Sequence, residues 1–131
     1  MKNLILLLMI SLTAASCKKD NQNSDQLSGK WELESVQEGF SGRTIKYQSG
    51  QGNILEFAKN TYSETRDFKS LRQGRYNTIR KTSMITRQEE DFLSFDGTDP
   101  QSFFSITGYQ LSISQDAYDG GGLSYRRINK N

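Results

Sequence analysis

From Gly29 onward the chain alternates apolar and polar side chains with a period of two, and no stretch of that region carries the stripe of an amphipathic helix. Trp31 and Leu33 alternate with Glu32 and Glu34, and Leu55 and Phe57 flank Glu56. Tyr109, Leu111 and Ile113 alternate with Gln110, Ser112 and Ser114. Successive side chains of a strand point to opposite faces, so segments of this kind bury one face and wet the other. Lys59-Asn60 suits a tight hairpin, and Asp119-Gly120-Gly121-Gly122 makes a flexible turn before Leu123, Tyr125 and Arg127. The pattern predicts about eight short strands, at 30–38, 53–58, 61–68, 72–81, 83–88, 92–95 or 103–106, 109–114 and 123–129.

Strands in this number and of this length predict an all-β fold, a small antiparallel up-and-down barrel, with a β-sandwich as the alternative. Closure removes the edge strands that invite aggregation. An eight-stranded barrel is just wide enough to be filled by side chains or to hold one small ligand. Between Leu27 and Ile128 lie 30 residues of the types Ile, Leu, Val, Met, Phe, Trp and Tyr, sufficient to fill it. A filled core is the expectation.

The chain has one cysteine and no histidine. Disulfides within it are impossible. Zinc, copper, haem and iron–sulfur sites lack their usual ligands, and no cofactor is expected. Ser-His and Cys-His catalysis are excluded on the same ground. Only carboxylate, Tyr or Lys chemistry would remain for an enzyme. Glu89, Glu90 and Asp91 are adjacent, so alternate carboxylates face opposite ways, and nothing places two acids in one pocket. The chain is read as a non-enzyme.

The single cysteine closes a distinctive N-terminus. Lys2 supplies a positive charge, Leu4 to Ile10 is an unbroken apolar run too short to span a bilayer, and Ala14-Ala15-Ser16 are small. Thr13-Ala14-Ala15-Ser16-Cys17 resembles the lipobox of bacterial lipoproteins, with Ala14 where that family usually has Leu. The resemblance implies cleavage before Cys17 and acylation of its thiol, and two or more acyl chains hold a protein stably on a bilayer. Lys18 follows, where many Gram-negative lipoproteins retained at the inner membrane have Asp, so the outer membrane is expected. The domain reading is a signal peptide over 1–16, a lipidated polar tether over 17–26, and one domain over 27–131. Without Lys2 the balance is 16 bases against 15 acids, and nucleic acid is not an expected partner of such an anchored chain. A monomer is expected.

Leu27-Ser28-Gly29-Lys30-Trp31-Glu32-Leu33 looks like the G-x-W first strand of lipocalin-like domains found in small bacterial lipoproteins. Gly74-x-Tyr76 and Tyr125-Arg126-Arg127-Ile128 also fit that pattern. The resemblance implies that Trp31 plugs the closed end of the barrel and that an arginine of the last strand packs over it. Arg127 is the better partner, because it shares strand parity with Leu123 and Tyr125. Guanidinium stacks well on indole. The domain is shorter than a full lipocalin, with no helical pattern after its last strand, which implies a shallower cavity.

Residues 39–52 form a long connection with four glycines and the apolar residues Phe40, Ile45 and Tyr47. Long loops are often functional, and in lipocalins the equivalent loop is a lid. Phe40, Arg43 and Tyr47 are therefore the candidate ligand-entry residues, against a loop that only covers the mouth. A basic stretch over 66–87, with Arg66, Lys69, Arg72 and Arg75 foremost, precedes an acidic stretch over 88–100. The basic hairpin is a candidate surface for anionic partners, and the favoured alternative is mutual neutralisation across paired strands. Asp116-Ala117-Tyr118-Asp119-Gly120 and Asp96-Gly97-Thr98-Asp99 lack the EF-hand spacing and read as turns, so no metal site is expected. The leading function is a lipid-anchored envelope module binding a small apolar or amphipathic molecule. The other class is a protein-interaction or inhibitor domain that uses its sheet surface or the basic hairpin on an envelope protein.

Overall fold

Strand β1 (Gly29–Gln37) is the seam on which the fold closes. In a computed structural model, which describes residues 22–128, it pairs antiparallel with β9 (Gly122–Ile128) from Lys30↔Ile128 to Gln37↔Gly122. Its other edge is shared. Gly29–Glu32 pair with β3 (Ile54–Ala58), and Ser35–Gln37 pair with the short β2 (Thr44–Lys46). From β3 the sheet runs through β4 (Thr61–Arg66), β5 (Lys69–Thr82), β6 (Glu89–Phe95), β7 (Ser102–Thr107) and β8 (Gln110–Gln115) to β9. The result is a closed antiparallel barrel of eight strands with β2 as one extra strand beside it. Short turns do the connecting: Lys59-Asn60, with Lys59 at φ 56°, and Asp67-Phe68, both at positive φ, reverse the chain in two residues each.

The alternating pattern becomes the inner face of the barrel. Trp31, Leu33, Leu55, Phe57, Tyr62, Tyr76, Leu93, Phe104, Leu111, Ile113 and Tyr125 form one buried cluster, to which Leu27 adds from outside the sheet. Phe57 meets Tyr76 edge-on at 4.7 Å and Tyr62 meets Phe95 at 4.6 Å, a favoured aromatic geometry. On the opposite face of β6 and β7, Phe92 is fully buried against Phe103, with Lys81 Nζ 4.4 Å from its ring centroid.

Four expectations change. Residues 83–88 are a turn, not a strand. The Ser83 hydroxyl accepts the amides of Ile85 and Thr86, and Asp116 Oδ2 and Oδ1 accept those of Met84 and Ile85, so these amides are lost to a ladder. Segments 92–95 and 103–106, treated as alternatives, are both strands, which restores the total. The 39–52 connection contains β2 and continues the sheet beside β1. Finally, the last part of the expected tether is a short helix, α1 (Gln22–Leu27). Cys17, the lipobox and the rest of the tether lie outside the described residues. Among the described residues no helix is long and apolar enough to cross a membrane.

Candidate functional site

The two ends of the barrel are built from different side chains. Where β1 starts and β9 finishes, Trp31 is fully buried and donates its indole N–H to the Leu27 carbonyl at 2.8 Å. Trp31 and Arg127 are register partners, and the guanidinium carbon lies 4.1 Å from the ring centroid. Arg127 Nη1 donates to the Ser28 carbonyl at 2.8 Å and Nη2 donates to that of Gln26. Gly29 explains the first residue of the G-x-W signature. A Cβ there would lie 2.9 Å from Arg127 Nη1, and its φ of 127° is one that side-chain-bearing residues rarely adopt. Close by, Arg80 pairs with Glu89 and Asp91 at 3.3 Å beside a polar crevice under Gln26.

Away from Trp31 the barrel holds a cleft of about 250 Å³. Leu55, Leu93, Phe95, Ile113 and Leu123 form its apolar wall, and Tyr125, Arg72 and the 98–102 segment supply polar groups. These residues come from β3, β5, β6, β8 and β9, so the cleft lies inside the barrel. Larger hollows, near 510 Å³ along β3–β5 and 450 Å³ beside Phe68, are shallow features of the outer surface. A solute in either would keep much of its surface in water, whereas the interior cleft can enclose one.

Glu64 organises the charge at this cleft. Parity with Tyr62 turns it inward, where it is 6 % exposed. Its Oε1 accepts from Arg66 Nε and Nη2 at 3.0 and 2.9 Å, and its Oε2 accepts from Arg72 Nε at 2.6 Å. A buried carboxylate requires such partners. A register shift between Glu64↔Arg72 and Thr65↔Ser70 leaves Leu71 unopposed, a bulge of the kind that re-aims neighbouring side chains. The Arg72 guanidinium lies 5.1 Å from the Phe95 centroid and 5.5 Å from that of Tyr62. Burial works against its charge, but the hydrogen bond and charge of Glu64 prevail and raise its pKa. Tyr125, from the facing strand, is pushed up to about 12, chiefly by burial and then by the Glu64 charge, so it keeps its proton at neutral pH.

A second acid shapes the rim. Asp96 accepts from the Tyr62 hydroxyl at 2.8 Å and from the Arg75 amide at 2.9 Å, and these bonds, the amide first, hold its pKa below the usual range. Gly74 makes room for it, since a Cβ would sit 1.9 Å from Asp96 Oδ1.

The candidate residues thus separate. Trp31 and Arg127 come together as the resemblance implies. Phe40 is 96 % exposed, Arg43 is held by Glu38 at 3.0 Å, and Tyr47 is partly buried against the core; none of the three lines the cleft. Part of their loop runs along the sheet as β2 beside β1. Of the four basic residues, Arg66 and Arg72 pair with Glu64, Arg72 with half of its side chain still exposed, while Lys69 and Arg75 are exposed. Glu64, Tyr125 and Asp99, absent from the sequence-based candidates, line or brace the cleft; the parity of Tyr62, Glu64 and Arg66 was the available signal. Among the described residues no three His, Cys, Asp or Glu side chains are grouped to hold a metal ion. No family profile, curated protein or solved structure matches this chain.

Proposed function

We propose that this domain is a lipid-anchored, non-enzymatic binding module of the bacterial envelope that takes up a small amphipathic molecule inside its barrel. The observation that carries the reading is the 250 Å³ cleft, apolar along one wall and polar along the other. An apolar cavity of about 150 Å³ admits benzene, and sites for larger molecules run from about 300 Å³. The volume therefore suits a single ring or a short chain rather than a long fatty acid. Attachment through Cys17 would keep the domain at the membrane surface, where amphipathic solutes concentrate.

Indole or 1-hexanol should bind the full chain in discs of neutral lipid with one-to-one stoichiometry, measured by calorimetry against empty discs. Leu123→Trp, which fills the cleft, should abolish binding, and Phe40→Asp should leave it unchanged. Binding that survives Leu123→Trp would overturn the reading. For the anchor, Cys17→Ser should prevent acylation and release the domain from membranes, read by intact mass and fractionation.

A further inference from the structure

We propose that the cleft selects a small monocarboxylate with an apolar body, its carboxylate bound by the Nη groups of Arg72 and the hydroxyl of Tyr125. The inference rests on the cleft being a ligand site and adds the chemical class of the ligand.

Tyr125 is the first observation. It is 3 % exposed and lines the cleft, yet among the described residues its hydroxyl has no hydrogen-bond partner. The one fully buried side-chain polar atom without a partner among the described residues is Tyr76 Oη, so the Tyr125 hydroxyl keeps contact with solvent and is open to a solute. Burial keeps it protonated, so it can donate to an anion that enters. Arg72 is the second. Glu64 occupies only its Nε, and among the described residues neither Nη group has an acceptor. The rings of Phe95 and Tyr62 lie against the guanidinium, and Glu64 fixes its rotation, so the free edge is held in place before a ligand arrives. That edge presents two N–H groups at the spacing of a carboxylate. The Arg72 and Tyr125 groups also act on one another's titration, as neighbours do.

The rest of the lining narrows the class. Leu55, Leu93, Ile113 and Leu123 offer nothing to a polar body and favour a hydrocarbon one. Asp99 stands on the rim, and Glu64 already pairs with both guanidinium groups, Arg66 and Arg72. A second negative charge on the ligand would meet these carboxylates, so a dianion such as a phosphate monoester is disfavoured.

The test uses matched carboxylate and amide pairs, phenylacetate with phenylacetamide and hexanoate with hexanamide, titrated into the full chain in neutral lipid discs. The carboxylates should bind about ten-fold or more tightly than their amides, as hydrogen bonds to a charged group do. Phenyl phosphate should bind no better than the amides. Arg72→Met keeps the apolar stem and should erase the carboxylate preference. Tyr125→Phe should weaken the carboxylates by about ten-fold, with Tm unchanged or raised because no protein partner is lost. Equal binding of both members of a pair, or a preference that survives Arg72→Met, overturns the carboxylate assignment and leaves an apolar site. An unchanged affinity in Tyr125→Phe overturns the two-donor arrangement. Binding by no member of either pair overturns the cleft reading itself.

Discussion

The Trp31 end and the Arg72 end of the barrel use the same interaction, a guanidinium against aromatic rings, to opposite effect. Arg127 spends both Nη groups on backbone carbonyls and covers a fully buried indole. Arg72 spends only Nε, on a carboxylate, and keeps its remaining edge toward a cleft. Donors tied to backbone make a rigid cap, because backbone carbonyls have no alternative conformers. Donors left over make a potential binding edge. The inward volume follows the same division: Trp31 and Leu27 are fully buried at the cap, whereas Glu64 and Arg72 at the cleft bring charge that cannot be packed over with hydrocarbon.

The largest expected effect breaks the filled end. Trp31→Ala should cost about 3–5 kcal/mol, as truncation of large core side chains does. Urea unfolding followed by circular dichroism would measure it, and a loss below about 1 kcal/mol would show that the end is not tightly packed.

A smaller effect tests the cap itself. Gly29→Ala places a methyl group against Arg127 Nη1 on a backbone at φ 127°, and should cost about 1–3 kcal/mol. Arg127→Met should cost about 1–2 kcal/mol through the lost hydrogen bonds and ring contact. If the glycine serves that close approach, Gly29→Ala and Arg127→Met combined should cost less than their sum, so an additive double mutant would separate them.

The smallest effect sharpens the comparison at the other end. Asp96 is held below its unfolded value of 3.8 by the Arg75 amide and then the Tyr62 hydroxyl. Asp116 is also lowered: burial opposes its charge, but the Met84 amide, the Ser83 hydroxyl and the Ile85 amide outweigh it. A depressed carboxyl stabilises the fold above its unfolded pKa and loses that contribution as pH falls through the folded value. Acid below about pH 4 should therefore loosen the 83–88 turn and the rim at Arg75 before the Trp31 end. Hydrogen-exchange protection of Arg75, Met84 and Ile85, corrected for intrinsic rates, should fall between pH 6 and pH 3 while that of Leu33 holds. A uniform loss would remove the distinction.

Most of the barrel was legible in the period-two pattern, since inward residues such as Leu55, Phe57, Leu111 and Ile113 are apolar and their neighbours polar. The reading failed where side chains compete with backbone pairing. Met84 and Ile85 look like strand residues, but Ser83 and Asp116 take the amides that a strand would need. Thr44–Lys46 look like loop because they sit in a connection with four glycines, and they form a strand only since β1 leaves its edge unpaired past Glu32. The cap was legible in Gly29, Trp31 and the parity of Arg127. The cleft was not: Arg66 and Arg72 are ordinary bases in a basic stretch until β4 and β5 pair.

What the sequence alone determined is therefore the chemistry that local spacing controls: strand alternation, turn residues, the absence of histidine and the single cysteine after small residues. Tertiary structure alone decided which charges face inward, because Glu64 meets Arg72 only through cross-strand register and a bulge at Leu71. It also decided where the interior stays open. Leu55, Leu93 and Tyr125 lie on three strands far apart in the chain, and only barrel closure through β1 and β9 sets the space between them. Spacing along a strand fixes direction, whereas volume depends on how distant strands close.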